Sequence, residues 1–171
     1  CVIVKNNKIL SLSKTSINGR PHAEANAIRL ANKNDLKGST IYVTLEPCTH
    51  YGKTPPCTDL IIKKKISKIV YGSNDIDTRT ANKLKIVSKK YNIFTKKVKM
   101  KEITDFYKSY FFIRKNKLPY ITAKLACSND YYIYSKKNKN ITNELSRKTS
   151  HLLRYKNNGI LISCLLYTSD A

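Results

Sequence analysis

The chain has 171 residues, 41% of them hydrophobic, enough for one full domain and a piece of another, and too apolar for a disordered chain. No apolar run approaches a bilayer span and no signal-peptide pattern opens the chain, so a soluble, cytoplasmic protein without a membrane role is expected. The net charge of +22 invites a nucleic-acid reading, but the lysines are scattered, not striped, and outnumber the arginines that read base edges.

Lysine, asparagine, isoleucine and tyrosine are abundant together, as AT-rich coding produces, so the charge reads as a solvated surface that also suits a phosphorylated small substrate. No nucleic-acid partner is expected. Five cysteines, odd in number and widely spread, read as free thiols or metal ligands. Cys1 opens inside an apolar run and the last residues lack a polar exit. The expectation is therefore a fragment truncated at both ends, with 164–171 a tail of doubtful origin.

In chain order, residues 1–5 read as a buried strand, Asn6-Asn7 as a hairpin turn and 8–13 as the partner strand. A polar loop follows to Arg20, and Pro21 opens a helix. The apolar face of that helix is Ala23, Ala27, Ile28 and Ala31, and it ends near Asn34. Residues 40–45 are β-branched and apolar, hence a strand; 46–56 form a turn-rich loop; 58–65 read as a short helix. Residues 69–71 are a strand, Leu84 to Ser88 lie in a helix, and 92–98 form a last strand. This alternation predicts a mostly parallel sheet covered by helices, with the first hairpin antiparallel at its edge. Residues 102–114 read as one amphipathic helix whose Ile103, Phe106, Tyr107, Tyr110 and Phe111 are a packing surface. Residues 116–119 read as a linker and 120–127 as a new strand.

Three segments carry chemistry: His22-Ala23-Glu24, Pro47-Cys48 and Pro56-Cys57. One imidazole and two thiolates suit Zn²⁺ and leave a fourth position for water. Glu24, two residues from His22 at a helix start, stands beside the metal without ligating it, as the proton carrier of a hydrolytic deaminase must. Eight residues separate Cys48 from Cys57, where other zinc deaminases have two. A purely structural zinc site would prefer four closed ligands and leaves Glu24 unexplained.

His22-Ala-Glu24-Ala-Asn-Ala, and Thr44-Leu-Glu-Pro-Cys48 continuing through Gly52-Lys53-Thr-Pro-Pro-Cys57, resemble the deaminase domain of bifunctional riboflavin-biosynthesis proteins. The resemblance implies a cytidine-deaminase-like fold, a three-layer α/β/α arrangement with a mixed sheet. It implies zinc-dependent deamination of the pyrimidine of 2,5-diamino-6-ribosylamino-4(3H)-pyrimidinone 5′-phosphate. His22, Cys48 and Cys57 become the zinc ligands, Glu24 the catalytic proton shuttle, and Lys53, His50 and Asp75 substrate contacts. Glu46 orients a loop through backbone amides. Deamination of a base in nucleic acid such as tRNA, and an inactive zinc-binding fragment, are the alternatives.

Residues 120–163 resemble the start of that family's dihydrofolate-reductase-like half, with Lys124, Arg147 and Arg154 as reductase-side candidates. This implies a deaminase domain over 1–115, the linker, and a truncated reductase domain. NADPH belongs to the complete reductase only, so no reductase activity is expected. Asn129-Asp130-Tyr131 stands where the family has Leu-Asp-Gly, and the family's first helix and its Asn-Pro-x-Val-Gly run precede residue 1. The family also leaves room for a homo-oligomer.

Overall fold

The computed structural model describes residues 1–32, 34–133 and 141–162; the tail expected at 164–171 lies outside the described residues. The chain divides into two compact units, Cys1–Tyr120 and Ile121–Ala171.

The first unit opens with β1 (Val2–Lys5) and β2 (Lys8–Leu12), paired antiparallel. Asn6 and Asn7 both take left-handed φ, 49° and 58°, the geometry that a two-residue turn needs to match strand twist. Next come α1 (Ala23–Leu30), β3 (Thr40–Leu45), α2 (Cys57–Lys63), β4 (Lys68–Ser73), α3 (Leu84–Lys90) and β5 (Phe94–Lys97). Among the described residues the sheet has the order β2-β1-β3-β4-β5. The β3–β4 and β4–β5 pairs are parallel.

The sheet is less parallel than the alternation of elements predicts, because β1 is antiparallel to β3 as well as to β2. The chain from β2 through α1 crosses over β1, so β2 and β3 run the same way with β1 inserted between them. The helix opened by Pro21 begins later, at Ala23, because His22 is still extended (φ −66°, ψ 159°) and serves as its N-cap.

Register explains the core. Ile3 faces Ile41, and Ile41 faces Ile69, so three isoleucines line up across the middle of one sheet face. All three are buried, together with Ala27 and Ile28 of α1, Ile61 of α2 and Leu84 of α3. Side chains alternate along a strand, so Gly72, next to the buried Tyr71, belongs to the opposite face. There α4 (Lys101–Phe106) meets β4: a Cβ on Gly72 would collide with Ile103 Cδ1 and lie 2.9 Å from the Thr44 carbonyl. Helices therefore cover both faces of the mixed sheet.

The single helix expected over 102–114 is two, α4 and α5 (Lys108–Asn116), separated at Tyr107. The period of apolar residues continues through the break, so spacing alone does not reveal it. The Tyr107 hydroxyl is held by Thr44 Oγ1 at 2.7 Å, which fixes the chain where the two helices meet.

The strand expected over 120–127 is absent; these residues carry no regular structure. A strand exists only when its backbone groups are paired, and among the described residues nothing pairs with this one. A turn follows, in which Tyr131 N–H donates to the Ser128 carbonyl with Tyr131 at φ 65°. This is the place where the resembling family has glycine, and a bulky side chain there is strained. Then α6 (Glu144–Tyr155) is capped by Asn143, whose side chain accepts from Ser146 N–H at 2.8 Å.

Ile41→Ala should lower stability by about 2–5 kcal/mol, because it empties the centre of the core. Ile86→Ala, at an exposed site on α3, should stay within about 0.5 kcal/mol. Urea unfolding curves of the two variants, set against the parent chain, measure this.

Candidate active site

Three separate parts of the fold deliver the chemistry-bearing residues. His22 and Glu24 sit at the start of α1, Cys48 follows the end of β3, and Cys57 is the first residue of α2. The long loop between the cysteines is closed at its base. Thr58 donates to the Cys48 carbonyl through both its backbone N–H (3.2 Å) and its hydroxyl (3.1 Å). Cys57 N–H points at Cys48 Sγ at 3.2 Å. The eight intervening residues thus loop outward without separating the two sulfurs.

Asn26 anchors the other side. It is buried, and its amide donates to the Lys14 carbonyl (3.0 Å), Ser16 Oγ (3.1 Å) and the Pro21 carbonyl (3.4 Å), holding the loop that leads into His22. Arg20 donates to Thr54 Oγ1 and joins that loop to the cysteine loop. Sequence reasoning passed over both residues. An asparagine inside a helix signals nothing until the loop that needs its amide is in place.

His22 Nδ1 lies 3.6 Å from Cys48 Sγ and 3.4 Å from Cys57 Sγ, and the three ligand atoms are all within 4.8 Å of one another. Zinc bonds of about 2.3 Å to sulfur and about 2.0 Å to nitrogen, at a tetrahedral angle, hold those atoms about 3.5 Å apart. The donor set and its spacing therefore fit Zn²⁺. The electrostatics agree. A hydrogen bond to Cys48 raises the His22 pKa. The Cys48 thiol is lowered to about 4, chiefly by a hydrogen bond from Cys57, with help from the imidazole. Cys57, which gives that bond, is pushed up. A dication would balance the negative charge gathered here and deprotonate a ligating thiol outright.

Glu24 is buried, and burial pushes its carboxyl group up. It shares a cavity of about 250 Å³ with His22, Cys48, Asp75, Tyr107 and Tyr110. Asp75 Oδ1 accepts from Asp77 N–H (3.1 Å) and the Tyr110 hydroxyl (3.2 Å). Behind it, the buried Glu46 carboxylate accepts from the backbone N–H groups of Asp75, Asn82 and Leu84, each at 3.3 Å. The loop that Glu46 holds is thus the one after β4.

The other expected contacts lie elsewhere. His50 Nδ1 is 2.8 Å from the hydroxyl of buried Thr80, and Lys53 is exposed on the cysteine loop; neither is part of the cavity wall. Tyr107 and Tyr110 were expected to be packing residues, yet both line the cavity. Lys124, Arg147 and Arg154 lie in the second unit and are exposed; Arg147 donates to the Thr142 carbonyl at 2.9 Å.

Residues 1–73 match the family described as the cytidine and deoxycytidylate deaminase zinc-binding region. A diaminohydroxyphosphoribosylamino-pyrimidine deaminase of Buchnera aphidicola subsp. Schizaphis graminum is 40% identical over 114 residues, 67% of this chain and 77% of that protein. The chain belongs to this deaminase family. The riboflavin biosynthesis protein RibD of Aquifex aeolicus is 35% identical over 167 residues, 94% of this chain and 46% of its own length. The crystal structure of a Thermotoga maritima deaminase/reductase superposes with a TM-score of 0.78 at 34% identity, over 88% of this chain and 44% of that one. The chain therefore spans about half the length of these two-part relatives.

Removing the Glu46 carboxylate leaves three amide donors without their acceptor. Glu46→Ala should cost about 1–3 kcal/mol. Amide hydrogen exchange at Asn82 and Leu84 should speed up while exchange at Ile41 keeps its order in the unfolding hierarchy. Unchanged exchange at 82 and 84 would contradict the clamp.

Proposed function

We propose that this chain hydrolytically deaminates the pyrimidine of 2,5-diamino-6-ribosylamino-4(3H)-pyrimidinone 5′-phosphate, releasing ammonia in riboflavin biosynthesis. One observation carries the reading: His22 Nδ1, Cys48 Sγ and Cys57 Sγ meet at zinc-ligand spacing, with the buried Glu24 in the same cavity. Family membership and the activity for which the Buchnera aphidicola relative is named support the substrate.

His22, Cys48 and Cys57 would hold one Zn²⁺, which when bound supplies an acidified water near neutral pH. Glu24 does the proton work. Its carboxylate takes a proton from the attacking water and hands it to the ring nitrogen beside the reacting carbon. It then takes the remaining proton from the newly added hydroxyl and delivers it to the departing amine, so that the carbonyl forms as the C–N bond breaks and ammonia leaves. A group that both accepts and donates works best with a pKa near the operating pH, and burial moves Glu24 in that direction. Asp75, held by Tyr110 and its own turn, faces the ring as an acceptor for an exocyclic amino group. The exposed Lys53 serves the phosphate, which must project beyond so small a cavity, and His50 fixes the cysteine loop through Thr80.

On this reading residues 1–115 are the deaminase domain and 120–163 begin a reductase domain. NADPH would bind only where that second domain is complete. The substrate is a small molecule and the setting cytoplasmic. Among the described residues no helix is long and apolar enough to cross a membrane.

Purified chain should carry one zinc per molecule by elemental analysis, and Cys48→Ala should lose it. Glu24→Gln should keep both zinc and melting temperature while ammonia release falls by on the order of 10²–10⁴. Activity near the parent level in Glu24→Gln would remove Glu24 from the mechanism.

A further inference from the structure

The two tyrosines in the cavity wall have no part in the zinc site or in proton transfer, yet the fold takes trouble to place them. Gly72 leaves room for Ile103, which brings α4 against the end of β4; any side chain at 72 would collide with it. That contact sets Tyr107 at the junction of α4 and α5. Its ring is wedged among aromatic neighbours: Phe106 at 5.0 Å and 89°, Phe111 at 5.7 Å and 32°, Tyr110 at 6.0 Å and 68°. Both phenol hydroxyls are already engaged. Tyr107 shares a hydrogen bond with Thr44 Oγ1 at 2.7 Å, and Tyr110 donates to Asp75 Oδ1 at 3.2 Å. With the hydroxyls tied to the protein, what the two residues offer the cavity is ring surface. The cavity, at about 250 Å³, is below the roughly 300–1,000 Å³ of sites for drug-sized ligands, so it takes a ring and leaves larger substituents outside.

We propose that Tyr107, with Tyr110 beside it, is an aromatic wall that holds the substrate's heteroaromatic ring by ring-to-ring contact and selects flat rings over aliphatic amines. This rests on the deaminase reading. Stacking of a base on an aromatic side chain is favourable for any flat π-face, so the wall contributes to binding and not to the chemical step.

The test is calorimetric titration of the zinc-loaded full chain with a free diaminopyrimidine, alongside ammonia release from the phosphorylated substrate. Tyr107→Leu should weaken binding by roughly 5- to 150-fold and raise KM with little change in kcat, whereas Tyr107→Phe should stay within about twofold of the parent. Tyr107→Met, which keeps apolar volume without a ring, should behave as Tyr107→Leu and stands in for it if the leucine variant does not fold. Binding unchanged in Tyr107→Leu and Tyr107→Met overturns the wall, as does a loss in Tyr107→Phe equal to theirs, or a parent chain that does not bind the base. Ring-dependent binding without ammonia release would uphold the wall and sink the deaminase reading. Ammonia release with an unchanged KM in Tyr107→Leu would do the reverse.

Discussion

The structure depends on the crowding of one imidazole nitrogen and two sulfurs, each brought from a different element, into mutual contact. Two sulfurs at 3.4 and 3.6 Å from one imidazole nitrogen, all three atoms within 4.8 Å of one another, are not a stable arrangement by themselves. They need protons or a cation between them, and the opposite shifts of Cys48 and Cys57 express that need in the currency of protons. A tetrahedral dication satisfies all three at once, at the distances already set by the backbone.

Those distances are set far from the metal centre. The isoleucine row across β1, β3 and β4 fixes the strands, and the strands fix where β3 and β4 end. Their carboxyl ends deliver Cys48 and Asp75 to the same edge of the sheet, the place where open α/β sheets put ligand sites. Polar anchors then bind the loops to that frame: Thr58 closes the cysteine loop, Asn26 holds the approach to His22, and Glu46 ties down the loop after β4. Each satisfies backbone groups that would otherwise be buried without partners, and so holds a reactive side chain in place through the main chain.

Much of this was legible in the sequence, and what was not has a common cause. The Asn6-Asn7 hairpin, the strands at 40–45 and 69–71 and the trio of zinc-binding segments are local signals: turn chemistry, alternation and ligand type. The break at Tyr107 is not local, because the aromatic period runs straight through it and only the bond to Thr44, 63 positions earlier, marks it. The same holds for Tyr107 and Tyr110 as cavity wall; that Glu46 binds backbone amides was expected, but that the loop it holds is the one after β4 was not. Residues 120–127 fail in the opposite way: their composition fits a strand, but pairing makes a strand, and no partner is present among the described residues.

Charge sharpens the functional argument. The chain carries 33 basic residues against 11 acidic ones, and yet three of those acids, Glu24, Glu46 and Asp75, line one small cavity. Random placement in so basic a chain would rarely gather carboxylates there and leave lysine out of the lining. Each of the three has a distinct local reason: one is buried beside the thiols, one is consumed by backbone amides, one is held by a tyrosine. The result divides the electrostatic work by distance. On the proposed reading, a diffuse positive surface would attract a phosphorylated substrate over a Debye length, while the carboxylates would act only within contact range, on a metal, a proton or a ring amine.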